Sequence, residues 1–388
     1  MLDALIVRNP DLKRLQDEGY SISTCEGYAV IEDIPYLDGN LGLQYGALAS
    51  PLQLAGEQTV RPTDHRIWFS GEMPCDDHQR QITAIAHATC DETIGSHTYK
   101  FIFSNKPGNG YADYYEKFLR YITIISAPAK ALHPDVTPCK YKPIETSMES
   151  VFCYADTCSS RAGLIEANDC FRSQRIGVIG LGGTGAYVLD LVAKTPVMEI
   201  HIFDGDKFYQ HNAFRAPGAT SLIELQQQPT KVDYYASEYA KMRKDIHAHP
   251  EYIDDRNIDQ LDSLDFVFIC IDSGIAKYTI VNYLRSRRIP FVDTGISAEL
   301  VEKSVLGMVR CTCYLPEKRT KLEKYISMEP SGRDDAYSSD IQIADMNALN
   351  AALAVMRWKK YCGFYLDLEP WVQTVFSTTT GGVANAKT

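Results

Sequence analysis

The sequence predicts a doubly wound, mostly parallel α/β sheet, preceded by a smaller α+β domain. From residue 175 to about residue 295, short apolar runs typical of buried strands alternate with helical stretches. This alternation is typical of a parallel sheet whose strands are joined by helices. A glycine-rich turn directly follows the first of these strands. Such a turn lets the backbone approach a ligand at the start of a helix.

The first 145 residues predict the smaller α+β domain. A short helical run opens the segment, strand-like runs follow, and a long helix with apolar residues at helical spacing ends it. The runs are NPDLKRLQDEGY, YAVIEDIPYL, LASPLQLAG, HRIWFSGEMP, YKFIFSN and YADYYEKFLRYITIISAPAKAL. We predict an accessory module over residues 1–145, a linker over 146–160 and an activating domain over 161–388.

The glycine turn lies between the strand RIGVI and a helix predicted from Thr184 to Lys194. The free N–H groups of that helix and its positive dipole end suit a phosphate. The next strand, EIHIF, ends in Asp204, where a carboxylate can accept hydrogen bonds from ribose hydroxyls. The pattern is Rossmann-like and predicts a nucleotide site. Its glycines are Gly180, Gly182, Gly183 and Gly185.

Further polar residues downstream favour a triphosphate over a dinucleotide. Asn212 and Arg215 follow the ribose carboxylate closely, and Lys231 comes after them. Two cations and an amide donor suit the charge of a β,γ-phosphate leaving group. A third apolar strand, FVFICI, ends in Asp272. A carboxylate beside phosphates is a natural ligand for Mg²⁺.

This motif set resembles that of the ThiF/MoeB-like adenylyltransferases, the family that includes the ubiquitin-activating enzymes. The shared features are GxGGxG, the spacing DxDxxxxxNxxR, a lysine before a helix and an aspartate after a later strand. The spaced motif begins with the pair Asp204 and Asp206 and ends at Arg215. The resemblance extends from about Arg161 to about Phe364, roughly half of the chain.

The resemblance implies a role for each matched residue. Asp204 would bind ribose, and Asn212 and Arg215 would hold the phosphates. Lys231 would stabilise charge on the triphosphate, and Asp272 would ligate Mg²⁺. Asp206 has an alternative as a turn cap, because Asp-Gly-Asp favours turns. The family also uses an arginine before the first strand that often reaches the partner subunit's triphosphate; Arg161 is the candidate, and it implies a homodimer.

The implied activity is ATP-dependent adenylation of the C-terminal carboxylate of a ubiquitin-like protein, with ATP and Mg²⁺ as cofactors. The N-terminal module resembles extensions fused to ThiF-like domains in bacterial ubiquitin-like conjugation operons. We expect it to dock the substrate or a conjugating-enzyme-like partner. The alternatives are an NAD-dependent oxidoreductase, a non-catalytic scaffold and, closer to the main hypothesis, a sulfur-carrier adenylyltransferase.

The cysteines leave the acyl-transfer step open. Many family members carry two CxxC pairs for structural zinc; this chain has neither, and we predict no zinc. The stretch matching the family's crossover loop, about residues 315–340, contains no cysteine. The acyl-adenylate could pass directly to a partner, to Cys311 or Cys313, or to a loop hydroxyl. The hydroxyls are Thr320, Ser327, Ser331, Ser338 and Ser339.

Composition excludes several other classes of function. The formal net charge of −11 argues against binding of a phosphate backbone, and we expect no nucleic-acid partner. The start of the chain does not resemble a signal peptide, and no apolar run has the length of a membrane helix. We expect a cytoplasmic protein without a membrane partner. We interpret His201 as a core residue and the last eleven residues as a flexible terminus.

Overall fold

The computed structural model describes residues 4–142, 150–272, 274–317, 322–326 and 341–387, with the backbone alone for Ser160 and Arg161. The chain divides into two compact units. The first comprises Met1–Ser150 and Tyr154–Ala162, and the second comprises Val151–Cys153 and Gly163–Thr388.

The first unit is an antiparallel sheet with helices. Its elements are α1 (Ala4–Arg8), α2 (Pro10–Asp17), β1 (Ser21–Cys25), β2 (Tyr28–Leu37), β3 (Leu43–Pro51), β4 (Leu54–Ala55), β5 (Gln58–Thr59), β6 (Arg66–Phe69), β7 (Ala86–Ile94), β8 (His97–Ser104), α3 (Tyr114–Leu132) and α4 (Thr157–Ala162). Six strands form one sheet in the order β1-β2-β3-β6-β8-β7, and β4 and β5 form a separate two-stranded sheet. The α+β character predicted for this part of the chain is confirmed.

Helix α3 supplies much of the core of the first unit. Asp113 caps it by accepting a hydrogen bond from the backbone N–H of Glu116 at 2.8 Å. Phe118, Ile122 and Ile125 follow at helical spacing and are buried against the sheet. The apolar periodicity seen in the sequence therefore corresponds to a real packing face.

The second unit holds the larger sheet. Its elements are α5 (Ile165–Asn168), β9 (Arg175–Ile179), α6 (Gly183–Ala193), β10 (Glu199–Phe203), α7 (Gln210–Ala213), α8 (Leu222–Gln227), α9 (Lys231–Tyr239), β11 (Ile246–His249), β12 (Phe266–Ile269), α10 (Gly274–Arg287), β13 (Phe291–Val301), β14 (Ser304–Tyr314), α11 (Ala344–Tyr361), β15 (Gln373–Ser377) and β16 (Val383–Ala386).

The strand order of this sheet is β11-β10-β9-β12-β13-β14-β15-β16. The first five strands in this order are parallel, and the last three pair antiparallel. The predicted Rossmann-like, mostly parallel sheet is confirmed. The order reverses between β9 and β12, and this switch point is where open α/β sheets form a crevice.

Helices cover both faces of the parallel strands. On one face α6, α9 and α11 bury apolar side chains that include Val188, Val232 and Trp358. On the other face α10 packs through Ile280 and Leu284. Because both faces are covered, the central parallel strands β9 (RIGVI) and β12 (FVFI) are almost continuously apolar, whereas β10 and the edge strand β11 also carry polar residues.

The C-terminal residues differ from the prediction. The sequence favoured a flexible terminus, but β16 pairs antiparallel with β15 at the edge of the sheet. The turn between these strands contains Gly381, which has a φ of +64°. Backbone pairing, which composition does not reveal, orders this segment. None of the helices in the described part of the chain has the length and apolar character that a membrane span requires.

Candidate active site

A cavity of about 360 Å³ lies at the carboxyl ends of the parallel strands, at the switch point between β9 and β12. Its lining combines the glycine turn after β9 with polar side chains that follow the next strands. The predicted site residues in the lining are Gly180, Gly182, Gly183, Asp204, Asp206, Arg215, Lys231 and Asp272. Residues spread over more than ninety positions of the sequence thus meet at one cavity.

Three of the four glycines in the turn are required by the packing of the chain itself. Gly180 has a φ of +88°, a conformation that L side chains rarely adopt. A Cβ atom on Gly183 would lie 2.0 Å from Nδ2 of Asn347, and one on Gly185 would lie 1.8 Å from the carbonyl oxygen of Gly180. At Gly182 the nearest atom would be 4.0 Å away. Packing does not explain the glycine at this position, whereas a ligand approaching the backbone does.

Asn347 holds the start of α6 in place. This residue of α11 is fully buried, and its Oδ1 accepts a hydrogen bond from the hydroxyl of Thr184 at 2.9 Å. Its Nδ2 donates to the carbonyl oxygen of Arg215 at 3.4 Å. Asn347 therefore joins the start of helix α6 to the segment that carries Arg215. Asn347 is not among the residues predicted from the sequence, because an asparagine in a long amphipathic helix carries no local signal of such a role.

Asp204 and Lys231 form the buried centre of the site. Asp204 accepts backbone hydrogen bonds from Leu181 at 2.7 Å and from Asp206 at 2.9 Å. The Nζ of Lys231 lies 3.2 Å from Oδ2 of Asp204 and 2.7 Å from Oδ2 of Asp206. Asp204 and Lys231 are each only 6% exposed. One carboxylate thus ties the glycine turn to the lysine that begins α9.

Asp206 is half-exposed and binds two side chains. Burial disfavours its charged form, but hydrogen bonds from Lys231 and Tyr252 outweigh that effect, and the pKa of Asp206 lies below its usual value. The same contact, together with burial, raises the pKa of the Tyr252 hydroxyl to about 12. The Tyr252 ring also lies over Gly205, where a Cβ atom would be 2.7 Å from it. Tyr252 was missed, because only folding brings it to Asp206.

Arg215 and Asn212 lie in different environments: Arg215 lines the cavity, and Asn212 does not. Arg215 lines the cavity, and its Nε is buried without a hydrogen-bond partner among the described residues. Asn212 is buried in α7, and its Oδ1 accepts a hydrogen bond from the backbone N–H of Tyr209 at 2.8 Å. It does not belong to the lining of the cavity. Its observed contact is that of a helix cap, which positions the segment leading to Arg215.

Asp272 lies in the lining where the chain leaves β12, and its side chain is exposed. Gln342 approaches it, with Nε2 at 3.4 Å from Oδ2. Oε1 of Gln342 is buried and has no hydrogen-bond partner within the described ranges. Gln342 comes from the segment before α11 and was also missed. Polar atoms of Arg215 and Gln342 thus remain unsatisfied at one cavity, which suits a polar ligand.

A buried, ion-paired aspartate, Asp293, directly precedes two residues that line the cavity. Asp293 of β13 is fully buried, with Nζ of Lys277 at 2.8 Å from one carboxylate oxygen and Nη2 of Arg310 at 2.8 Å from the other. Thr294 and Gly295, which follow it, line the cavity. The cluster joins α10 to two strands and fixes this part of the wall.

The cysteines show different environments. Cys270 lines the cavity, and burial raises the pKa of its thiol to about 12 despite a hydrogen bond with Thr294. Cys311 and Cys313 lie on β14, are buried, and do not belong to the lining. Burial, with the neighbouring Cys313 and Asp293, raises the pKa of the Cys311 thiol far above its usual value. This environment argues against either residue of β14 as an acyl acceptor.

Two sets of predicted residues lie outside the described part of the chain. The backbone of Arg161 is in α4, but its side chain is not described. The crossover loop is described only at residues 315–317 and 322–326, so none of its five candidate hydroxyls is included. The roles assigned to these residues stay predictions.

A family model described as ThiF family matches residues 163–356, half of the chain. The chain belongs to the ThiF family. The resemblance drawn from the glycine turn and the spaced polar residues is therefore confirmed. A second family model, described as a domain of unknown function (DUF6791), matches residues 10–157. A comparison with curated proteins finds no match.

Several solved structures are similar to part of the chain. E. coli MccB with MccA-N7isoASN is 17% identical, with a TM-score of 0.45, covering 57% of this chain and 66% of that one. E. coli MccB with ATP is 17% identical, with a TM-score of 0.44, covering 57% and 65%. SeMet PaaA is 13% identical, with a TM-score of 0.45, covering 57% and 75%. The chain spans just under two thirds of the length of these two MccB chains.

Proposed function

We propose that this ThiF-family chain is a Mg²⁺- and ATP-dependent adenylyltransferase that activates the C-terminal carboxylate of a ubiquitin-like protein. The observation that carries the nucleotide part is the meeting of Gly182, Arg215 and Lys231 at one cavity. Packing does not require a glycine at position 182, and the Nε of Arg215 is buried without a hydrogen-bond partner among the described residues. Both features suit a phosphate chain.

The proposed reaction uses this arrangement. An oxygen of the substrate carboxylate attacks the α-phosphorus in line, and the bond from that phosphorus to the β-phosphate oxygen breaks. Pyrophosphate leaves with the electron pair, and the product is an acyl-adenylate. Arg215, Lys231 and the first backbone amides of α6 offset the charge that collects on the leaving group. The protein supplies positioning and charge rather than a covalent step.

The charges of the lining support a divalent cation. The lining of the cavity contains three carboxylates and two cations: Asp204, Asp206, Asp272, Arg215 and Lys231. A triphosphate adds several negative charges to a lining that is already acidic. Bound Mg²⁺ would neutralise part of that charge. Asp272, whose carboxylate is exposed, is the residue best able to hold the ion.

The substrate and partner assignments rest on family membership together with the motif set. We propose that the chain acts in a bacterial ubiquitin-like pathway and that the module over residues 1–145 docks the substrate or a conjugating-enzyme-like protein. A homodimer in which Arg161 reaches the partner's triphosphate belongs to the same proposal. With Cys311 and Cys313 buried, direct transfer from the adenylate to a partner's nucleophile is the favoured route.

Calorimetric titration of the full chain with Mg·ATP and, separately, with NAD tests the nucleotide assignment. We expect magnesium-dependent ATP binding, no heat with NAD, and weaker Mg·ATP binding in Asp272→Ala. Asp255→Ala is the matched control, because Asp255 is exposed and lies outside the cavity lining. Binding of NAD without ATP would show an oxidoreductase. Equal Mg·ATP affinity in both variants would remove Asp272 from the metal site.

A further inference from the structure

A row of histidines lies at the edge of the second unit's sheet, on the strand pair β10 and β11. Three of the chain's nine histidines are on these two short strands: His201, His247 and His249. The parallel register places His201 directly beside His247. Their rings are stacked with centroids 4.6 Å apart, and the rings of His201 and His249 are 5.4 Å apart. Backbone pairing therefore holds these imidazoles together.

A carboxylate completes the cluster. Glu199 lies two residues before His201 on the same face of β10, and its Oε2 is 3.2 Å from Nε2 of His201. One ligand atom from each of Glu199, His201 and His247 lies within 4.8 Å of the other two. Two imidazoles and a carboxylate are a ligand set that zinc uses when a fourth position is left for water or another ligand.

The spacing of these atoms is close to what a metal requires. Zinc binds nitrogen and oxygen at about 2.0–2.2 Å, so two ligand atoms on a tetrahedral ion are roughly 3.4 Å apart. Glu199 and His201 already meet that distance. The ligand atom of His247 lies within 4.8 Å of the other two. Because His247 is exposed, a change of its side-chain rotamer can bring this atom closer without disturbing the core.

The second nitrogen of His201 is also engaged. Its Nδ1 lies 3.2 Å from Nε2 of His249. The ring of His249 is in turn stacked on Phe203, with centroids 4.3 Å apart. A ligating histidine commonly has its other ring nitrogen fixed in this way, which sets the tautomer and the direction of the ligating nitrogen. The supporting contacts of a metal ligand are therefore present.

We propose that Glu199, His201 and His247 bind a divalent transition metal of the zinc class, with His249 as a positioning residue. The missing cysteine pairs, on which the prediction of no zinc rests, exclude only a cysteine site and not a site of histidines and a carboxylate. The metal would join β10 to the edge strand β11. The chain reaches Asp204 directly after β10 and Tyr252 shortly after β11, so the bound ion would stiffen two supports of the nucleotide cavity.

One neighbouring cation competes with the metal. Nε of Arg175 lies 3.7 Å from Oε2 of Glu199. Because this guanidinium is partly exposed, the ion pair is weak. Replacement of Arg175 by Gln is expected to raise the affinity for the metal severalfold, since the carboxylate then loses its competing partner.

The test uses the full chain after treatment with a chelator. Binding of Zn²⁺ is measured by calorimetry and by metal content after dialysis, for the wild type, Glu199→Gln and His247→Gln. His78→Gln is the matched control, because His78 is exposed and lies on the first unit. We expect Glu199→Gln and His247→Gln to bind one equivalent fewer than the wild type and the control. Equal stoichiometry in all four proteins would overturn the proposal.

Cobalt distinguishes this site from the cysteines. Co²⁺ bound to nitrogen and oxygen ligands gives visible d–d absorption without the ultraviolet thiolate-to-cobalt band, which cysteine ligation would produce. A dominant thiolate band would refute the assignment. Thermal unfolding without metal checks that the variants are folded. At a hundredfold excess over the Kd, metal is expected to raise the Tm of the wild type by roughly 5–10 °C and that of His247→Gln far less.

Discussion

Nζ of Lys231 lies 2.7 Å from Oδ2 of Asp206, and the same ammonium also contacts Asp204. The charge of this lysine is therefore already matched by carboxylates at the cavity. In the proposed function a triphosphate would share Lys231 with them, so Arg215, the helix amides and a divalent cation would have to offset the rest of its charge. The pairing of Lys231 with two carboxylates therefore lowers the attraction that this lysine alone would exert on an anion.

Replacement of Lys231 by Met is expected to destabilise the second unit by about 3–5 kcal/mol. The change leaves the carboxylate of Asp204, which is only 6% exposed, without its buried partner. Asp204→Asn in the same chain is expected to restore part of that stability but none of the adenylation activity. Urea unfolding of both single variants and the double variant measures the coupling energy. Strict additivity would mean that the two side chains do not interact.

Arg215→Ala is expected to lower ATP–pyrophosphate exchange by ~10²-fold, by analogy with the loss of one preorganised donor at a developing charge. Its Nε is buried at the cavity without a described partner, so the side chain is available to a ligand. Arg256→Ala is the control, because that side chain is 90% exposed and pairs only with Asp254 among the described residues. Exchange at the wild-type rate in Arg215→Ala would remove the arginine from the triphosphate site.

The two central glycines of the turn should respond differently to alanine. Gly183→Ala places a Cβ atom 2.0 Å from Asn347, so we expect lost stability and lost ATP binding together. Gly182→Ala has 4.0 Å of space, so we expect a nearly unchanged Tm and weakened ATP binding. Thermal unfolding and calorimetry on both variants separate the two effects. Unchanged ATP affinity in Gly182→Ala would mean that the nucleotide does not approach this part of the backbone.

Much of the site was predictable from the sequence, because it follows from local patterns. Apolar runs mark the strands, and the residues directly after them, such as Asp204 and Asp272, must meet at one edge of a parallel sheet. Tyr252, Gln342 and Asn347 could not be predicted, because tertiary contacts with distant residues bring Tyr252 and Gln342 to the cavity and Asn347 to the start of α6. The histidine cluster was hidden for a similar reason, since only the pairing of β10 with β11 brings His201 and His247 together.

Buried Lys117 predicts a pH dependence in the first unit. Its Nζ donates to Oγ of Ser50 at 2.7 Å and to the carbonyl oxygen of Asp64 at 2.9 Å, and burial lowers its pKa from 10.5 to about 8. Below pH 8 both folded and unfolded chains hold the proton, and the folded state carries the cost of a buried charge. Between about pH 8 and pH 10.5 only the unfolded chain holds it, so folding stability rises with pH in that window.

Lys117→Met removes this titration and serves as the reference. The wild type should gain stability relative to Lys117→Met from pH 8 to pH 10, by at most about 1.4 kcal/mol per pH unit. Urea unfolding at several pH values, followed by a signal from the first unit, measures the difference. A constant difference across this range would mean that Lys117 keeps its ordinary pKa.

The cysteines of β14 should be inert in the folded protein. Cys311 and Cys313 are buried, whereas Cys153 and Cys158 are exposed. Because only an accessible thiolate reacts readily, N-ethylmaleimide should modify Cys153 and Cys158 first, as mass spectrometry of timed digests would show. The double variant Cys311→Ala/Cys313→Ala, once its folding is verified, should transfer a radiolabelled substrate to the partner at the wild-type rate. The control variant Cys153→Ala/Cys158→Ala should do the same. Loss of transfer in the β14 variant alone, with pyrophosphate exchange intact, would instead make that strand the acyl carrier and require it to become exposed during the cycle.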